Sequence, residues 1–387
     1  MTSSNFRRNC NASGVEKLLL ISAIIVITVA AGCDRSGSEN EQRNGESEDS
    51  LQVFWKRAFE MTGGIRVRPR IVGDSIVLFS GGAHLRAFRV ANGSTKWKTS
   101  LEPETELYSR RLLVSKGTVC SPHQGQVLSW DLETGRQQWK FVPPEGNRLF
   151  EIGFYDLGPE HFYGSGSGKL LIINREDGSL SREEEYGGAS TLYQDGSLFL
   201  GQAWTPEGAE GQSRGGILKV NVASGDSLWF FKTERGGFYR MRPLLDEGRV
   251  YAGTRGGEMT EFVALDAETG EVIWRNKEAR VYAAEMAAGK IFVNTGRDVM
   301  ALDKETGETL WHAGLEAGHG ESELAYLDGY VYHPHGQGLR VISAKTGEVV
   351  HIEWPENGYF WEVSTGAGKV FAQDSGALYA FEPYSPE

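Results

Sequence analysis

A few groups of residues have the types and spacing that chemistry needs. His333-Pro334-His335 sets two imidazoles two residues apart, on one face if the strand is extended. Zinc would need one or two further ligands, and His319 and Glu321 are the only nearby donors in sequence. Without a firm third ligand the pair reads as exposed loop histidines. Gly164-Ser-Gly-Ser-Gly168 has the glycine content of a phosphate loop, but no Lys-Thr and no helix follows it, so it reads as a hairpin turn. Serine, histidine and aspartate all occur, without the strand, elbow and helix setting that makes a serine nucleophilic. Asn92-Gly93-Ser94 fits a glycosylation sequon and reads first as a turn. No residue is assigned as catalytic or as a metal ligand, and no cofactor is expected.

The elements that would position any site come from a repeat. Ala264-Leu-Asp-Ala-Glu-Thr-Gly-Glu-Val-Ile-Trp274 returns almost letter for letter as Ala301-Leu-Asp-Lys-Glu-Thr-Gly-Glu-Thr-Leu-Trp311. Weaker copies end at Trp97, Trp139 and Trp229, and two more keep the glycine but end in Arg182 and His351. These anchors are 37 to 47 residues apart. Each copy reads as a strand, a tight turn whose glycine takes a positive φ, and a second strand ending in a large flat ring. Glycine turns such as Ala288-Gly289, Asp328-Gly329 and Ala367-Gly368 open a further strand in each unit.

About four short strands at a period near 42 predict an all-β, eight-bladed β-propeller. Seven anchors lie inside complete units. The eighth unit is split between Leu51-Gln-Val-Phe-Trp55-Lys at the start and Gly368–Glu382 at the end. Sewing the N-terminal strand into the C-terminal blade removes two raw sheet edges. The folded part is expected to span 51–387, with the tryptophan anchors Trp55, Trp97, Trp139, Trp229, Trp274 and Trp311 as structural docking residues.

The motif Ala-x-Asp-x-x-Thr-Gly-x-x-x-Trp, carried in full by residues 264–274 and 301–311 and with Ser129 for alanine by residues 129–139, resembles the tryptophan-docking repeat of the quinoprotein-like (PQQ-repeat) propellers. The resemblance implies that the tryptophan of each blade stacks over the turn of its neighbour. Arg182 and His351 depart from the pattern, so their junctions are expected to pack less tightly. The dehydrogenases of this family stack a quinone against a disulfide between adjacent cysteines. This sequence has three cysteines, Cys10, Cys33 and Cys120, and no adjacent pair. The resemblance to a PQQ-dependent dehydrogenase therefore stays the alternative to a non-enzymatic reading. Length, lipobox and repeat type are similar to the BamB family, the lipoprotein propellers of the outer-membrane β-barrel assembly machinery. That resemblance implies a protein-docking scaffold whose partner belongs to that machinery.

The N-terminus supports an exported protein. Arg7, Arg8 and Lys17 precede Leu18–Ala31, an uncharged run too short for a confident membrane span and suited to a signal-peptide core. Ala30-Ala31-Gly32-Cys33 looks like a bacterial lipobox, which makes 1–32 the signal peptide and Cys33 the lipidated first residue. Residues 33–50 have the polar composition of a disordered tether, with a typical reach of about 20–25 Å. The expected location is the extracytoplasmic, periplasmic face of a bacterial membrane, held by the lipid alone. The choice of inner or outer membrane stays open.

The formal charge is −12, and removing 1–32, with its three cations against Glu16, makes it −14. That argues against nucleic acid, which needs a basic face. Cys120, alone on a strand, reads as a packing residue in a monomeric propeller. The stretches before the innermost strands should reach the channel and one rim. They carry Arg66, Arg68, Arg110, Arg111, Arg240 and Arg242 in units one, two and five, and glutamates and aromatics, including Tyr359 and Trp361, elsewhere. Arginine and aromatics are enriched at binding hot spots, so this rim is the candidate partner-binding surface. The competing reading pairs the charges with each other across the channel. Thr205–Gly215, a polar insertion in unit four, is a second candidate contact.

Overall fold

The computed structural model describes residues 50–386 apart from 60–66, 82–83, 102–111, 124–125, 145–154, 167–168, 189, 205–213, 234–235, 239–240, 255–259, 315–321 and 337. The signal peptide, Cys33, nearly all of the tether, Arg66, Arg110, Arg111, Arg240, His319, Glu321 and the tip of the 205–215 insertion lie outside them.

The described strands form eight four-stranded antiparallel sheets, seven of them meanders in chain order. Blade 1 runs Arg70–Val72, Ile76–Ser80, His84–Arg89 and Thr95–Ser100. Blades 2 to 7 follow in the same way, their innermost strands being Leu113–Ser115, Tyr155–Leu157, Ser190–Gln194, Leu244–Asp246, Ala283–Ala287 and Ala325–Leu327. Blade 8 is Glu362–Gly366, Lys369–Gln373 and Ala377–Phe381, completed on its outer edge by the N-terminal strand Val53–Ala58. In register, Trp55 faces Ala380 and Ala58 faces Ala377.

The local chemistry repeats with the blades. Lys116-Gly117, Asp195-Gly196, Glu247-Gly248, Ala288-Gly289, Asp328-Gly329 and Ala367-Gly368 have positive φ at both residues. That is the type I′ geometry whose twist matches a two-residue hairpin. The Thr-Gly turn is built differently. In blade 6 the Asp303 carboxylate accepts the Glu305 and Thr306 amides at 2.9 and 2.8 Å, and the Gly307 amide donates to the Asp303 carbonyl at 2.9 Å. These bonds hold the Asp303 carboxyl below its ordinary pKa, the Thr306 amide contributing most. A bulge then shifts the register beside the anchor, between Ala301 and Leu302 in blade 6 and at the matching place in the other blades.

The core lies between blades. The two faces of each sheet pack against different neighbours, and every junction has its own apolar cluster. The one that closes the circle joins Trp55, Phe371, Leu378 and Ala380 of blade 8 to Val77, Phe79, Phe88 and Val90 of blade 1. Cys120 is fully buried between blades 2 and 3, where burial pushes its thiol up to about 12. It is a core residue, as its place in the repeat predicts.

Candidate functional site

Two geometries bear on function: the blade junctions and the channel. At a junction the anchor ring covers the turn glycine of the next blade. A β-carbon added to Gly135 would sit 2.4 Å from the Trp97 ring, and the same holds at 2.4 to 2.7 Å for Gly93 under Trp55, Gly178 under Trp139, Gly270 under Trp229, Gly307 under Trp274 and Gly347 under Trp311. Each indole N–H also donates to the carbonyl three residues before that glycine, at 2.7 to 3.2 Å. Buried indoles need such a partner. The residue facing the anchor on the adjacent strand is small: Ala87, Ser129, Ala264, Ala301 and Ala380 face Trp97, Trp139, Trp274, Trp311 and Trp55. Lys219, opposite Trp229, is the departure among the tryptophan blades.

The two anchors that are not tryptophan keep part of this arrangement. Arg182 sends Nη2 to the Val222 carbonyl at 2.7 Å, three residues before Gly225, so a guanidinium makes the bond an indole makes elsewhere. Its Nε lies 2.5 Å from Glu184. His351 stacks on Tyr384, which the C-terminal tail places where other blades carry the Thr-Gly turn. The residues facing these anchors are Ile172 and Val341, larger than the alanine or serine found under five of the tryptophans. Sequence reasoning missed both compensations. The enlargement opposite the anchor is a signal that was present in the sequence.

On the channel side, at the end where the inner strands begin, the described arginines of the candidate rim are engaged. Arg68 donates from Nε to the Val363 carbonyl at 2.9 Å and to Ser364 Oγ at 3.1 Å, and from Nη2 to the Leu324 carbonyl at 2.8 Å. Glu285 and Glu323 lie 3.8 and 3.6 Å from its guanidinium. Arg242 of blade 5 pairs with Asp156 of blade 3 at 2.5 Å. Asp156 is buried and also accepts the Leu157 and Tyr193 amides at 2.8 and 2.7 Å. A cavity of ≈ 460 Å³ is lined by Arg68, Arg70, Asp156, Arg242, Glu285 and Thr365 among others. For Arg68 and Arg242 the structure thus shows pairing across the channel. The aromatic part of the rim is different. Tyr359 is 42% exposed and its ring lies 5.3 Å from that of Trp361, whose N–H reaches Ser375 at 3.3 Å.

The histidine pair requires a correction. His333 and His335 are not loop residues at the surface. Both lie on the strand Tyr330–His335 and are buried, with ring centroids 5.6 Å apart. The strand's alternation turns them with Val331 toward blade 6. Among the described residues, no three of His, Cys, Asp and Glu come together as a metal-binding group.

The fold, the interblade tryptophan docking and the closure of blade 8 by the N-terminal strand define a PQQ-like eight-bladed propeller. Residues 48–194 and 213–381 match the family model described as outer membrane protein assembly factor BamB, and the chain belongs to that family. Solved structures share the fold at low identity. BamB from Moraxella catarrhalis superposes with a TM-score of 0.65 at 12% identity, covering 86% of this chain and 99% of that one. The quinohemoprotein alcohol dehydrogenase of Comamonas testosteroni gives 0.64 at 13%, covering 88% and 78%. The computationally designed Ika8 protein gives 0.63 at 14%, covering 86% and 100%. No curated protein sequence matches the chain. A quinone held against adjacent cysteines does not fit this propeller: residues 51–387 contain only Cys120, buried between blades 2 and 3.

Proposed function

We propose that this protein is a non-catalytic, membrane-anchored scaffold that docks a protein partner in outer-membrane protein assembly. Membership of the BamB family over most of the chain is the observation that carries the reading. The channel geometry is in keeping with it, since Arg68 and Arg242 are spent on carboxylates and backbone carbonyls. The anchor is lipidated Cys33, and the residues that follow it let the ring hang from the periplasmic face of the membrane.

The docking surface is the rim where the inner strands begin. The exposed Tyr359, backed by Trp361, supplies a flat anchor of the kind that dominates interface energetics. The arginines Arg66, Arg110, Arg111 and Arg240 add charge by their place in the repeat. The test is affinity purification from solubilised membranes with the full-length protein, comparing wild type with a variant carrying Tyr359→Ala, Arg110→Glu and Arg111→Glu. Loss of a reproducible partner with an unchanged thermal melt supports the rim. Undiminished capture by the folded variant overturns it. Dye-linked alcohol oxidation by the purified protein would overturn the non-catalytic reading.

A further inference from the structure

At one junction no ring is nearest to the turn glycine. Blades 1, 2, 4, 5, 6 and 8 each place a tryptophan over the neighbouring glycine, and at the junction of blades 7 and 8 the tail brings in Tyr384. Between blades 3 and 4 the atoms nearest the β-carbon position of Gly225 are the Glu184 carboxylate and Arg182 Nη2. Tyr186 packs against the apolar cluster of this junction and reaches the Gly225 carbonyl through its hydroxyl at 3.4 Å. A cavity of ≈ 400 Å³ opens beside them, on the face of the ring where the hairpin turns lie. Its size is within the range of small-ligand sites.

We propose that this cavity binds an indole ring from outside the propeller, the side chain of a tryptophan in a partner polypeptide. Its walls are His161, Tyr163, Ile172, Arg182, Tyr193 and Val222. Tyr163 and Tyr193 are stacked, 5.1 Å apart and 14° from parallel, and give the ring an aromatic wall. The Arg182 guanidinium supplies a planar cation, which attracts an indole face. The Val222 carbonyl, which Arg182 engages at 2.7 Å, has a second lone pair for an indole N–H. The equivalent carbonyl accepts an indole N–H in every tryptophan-bearing blade. Glu160 and Asp195 at the edge offset the charge of Arg182, which favours an uncharged ring over an anion. The site stands on this internal comparison. Only the source of the ring rests on the scaffold reading above.

The experiment is fluorine NMR of 5-fluoroindole, with a tryptophan-containing pentapeptide titrated as competitor, against the intact propeller. The control is the double variant Arg182→Trp, Ile172→Ala, which restores the repeat's own pairing and fills the cavity. Wild type should shift and broaden the fluorine line, the peptide should reverse this, and the variant should bind at least about tenfold more weakly, a difference of about 1.4 kcal/mol. A thermal melt at or above that of wild type shows that the variant is folded. Tyr193→Leu, which removes one aromatic wall without touching the turn, should weaken binding in the same direction. No binding by wild type, or equal binding by the filled variant, overturns the site and leaves the scaffold reading standing. Binding of fluoroindole that the peptide cannot reverse overturns the tryptophan source.

Discussion

The indole of Trp55, on the first strand of the ring, lies over Gly93 of blade 1 and donates to the Val90 carbonyl at 2.7 Å, while its backbone pairs with Ala380 near the other end of the chain. One residue thus ties the N-terminal strand into blade 8 and blade 8 to blade 1. Further bonds hold the same strand: the Leu51 amide donates to Glu353 at 2.7 Å, and Arg57 to the Gly93 carbonyl at 2.5 Å. Deleting Leu51–Arg57 should therefore lower the urea midpoint of the whole ring. Trp55→Ala alone should cost about 3–5 kcal/mol, the usual range for emptying a buried tryptophan site. Urea unfolding followed by far-UV circular dichroism reads both, and an unchanged midpoint in the deletion would show that closure lies elsewhere.

The docking glycines can be separated from the merely turn-forming ones. Gly307 has a φ of 73° and the Trp274 ring 2.4 Å from where a β-carbon would go. Gly117 has a φ of 78° and nothing within 4 Å of that position. Both substitutions to alanine bear the backbone cost, about 1–2 kcal/mol. Only Gly307→Ala must also push an indole off its turn and break its bond to the Lys304 carbonyl. Gly307→Ala should be less stable than Gly117→Ala by about 2 kcal/mol or more, measured by chemical denaturation. Equal losses would mean that the stack contributes nothing beyond the turn.

These glycines also show why so much of the fold is legible in the sequence. A positive φ under a ring admits almost nothing but glycine, and a ring that must cover backbone and donate one hydrogen bond is best made by tryptophan. Repeated about every 42 residues, the pair fixes blade number and order. What the sequence hid was side-chain compensation. That Arg182 would copy an indole's hydrogen bond depends on where Val222 lies in space, and that Tyr384 would cap His351 depends on the path of the tail. The histidines were misplaced because the lack of a third ligand nearby in sequence says nothing about whether the strand carries them into a blade junction. In the structure Pro334 faces Leu339 near the end of the strand, where a proline without its N–H is tolerated. The pairing at the channel was not legible, because the partners of Arg68 and Arg242 lie in blades 6, 7, 8 and 3, distant in sequence.

Arg68 should be a latch as much as a surface charge. Its guanidinium donates to the carbonyls of Leu324, just before blade 7, and Val363, in the first strand of blade 8, and it enters the ring with blade 1. Arg68→Met keeps the aliphatic stem and removes the donors. The variant should lose about 1–3 kcal/mol, because two carbonyls then lack partners on the channel side. The loss should depend little on salt, since the bonds are to backbone and the ion pairs at 3.6 and 3.8 Å are long. Thermal melts at low and high ionic strength check this, and a loss that vanishes in salt would assign the role to Glu285 and Glu323 instead.

The buried histidines should make the junction of blades 6 and 7 sensitive to acid. His333 is fully buried, and a backbone hydrogen bond with Glu323 favours its charged form without outweighing that burial. Desolvation first, then the neighbouring His335 and Arg340, depress its pKa from 6.5 to about 3. The folded protein therefore keeps this imidazole neutral well below the pH at which the unfolded chain protonates it. The stability it contributes is intact above about pH 6.5 and falls as the pH drops toward about 3, because the unfolded state binds one more proton across that window. A single such group gives a slope of about 1.4 kcal/mol per pH unit. Asp303, whose pKa is depressed below 3.8, loses its contribution lower on the scale, and His84, also depressed by desolvation, cancels when wild type and the His333 variant are compared from pH 6 to 5. His333→Leu should flatten the dependence there by about one proton, and pH-dependent urea unfolding measures it. A variant with the wild-type slope would mean that His333 takes up its proton without opening the junction.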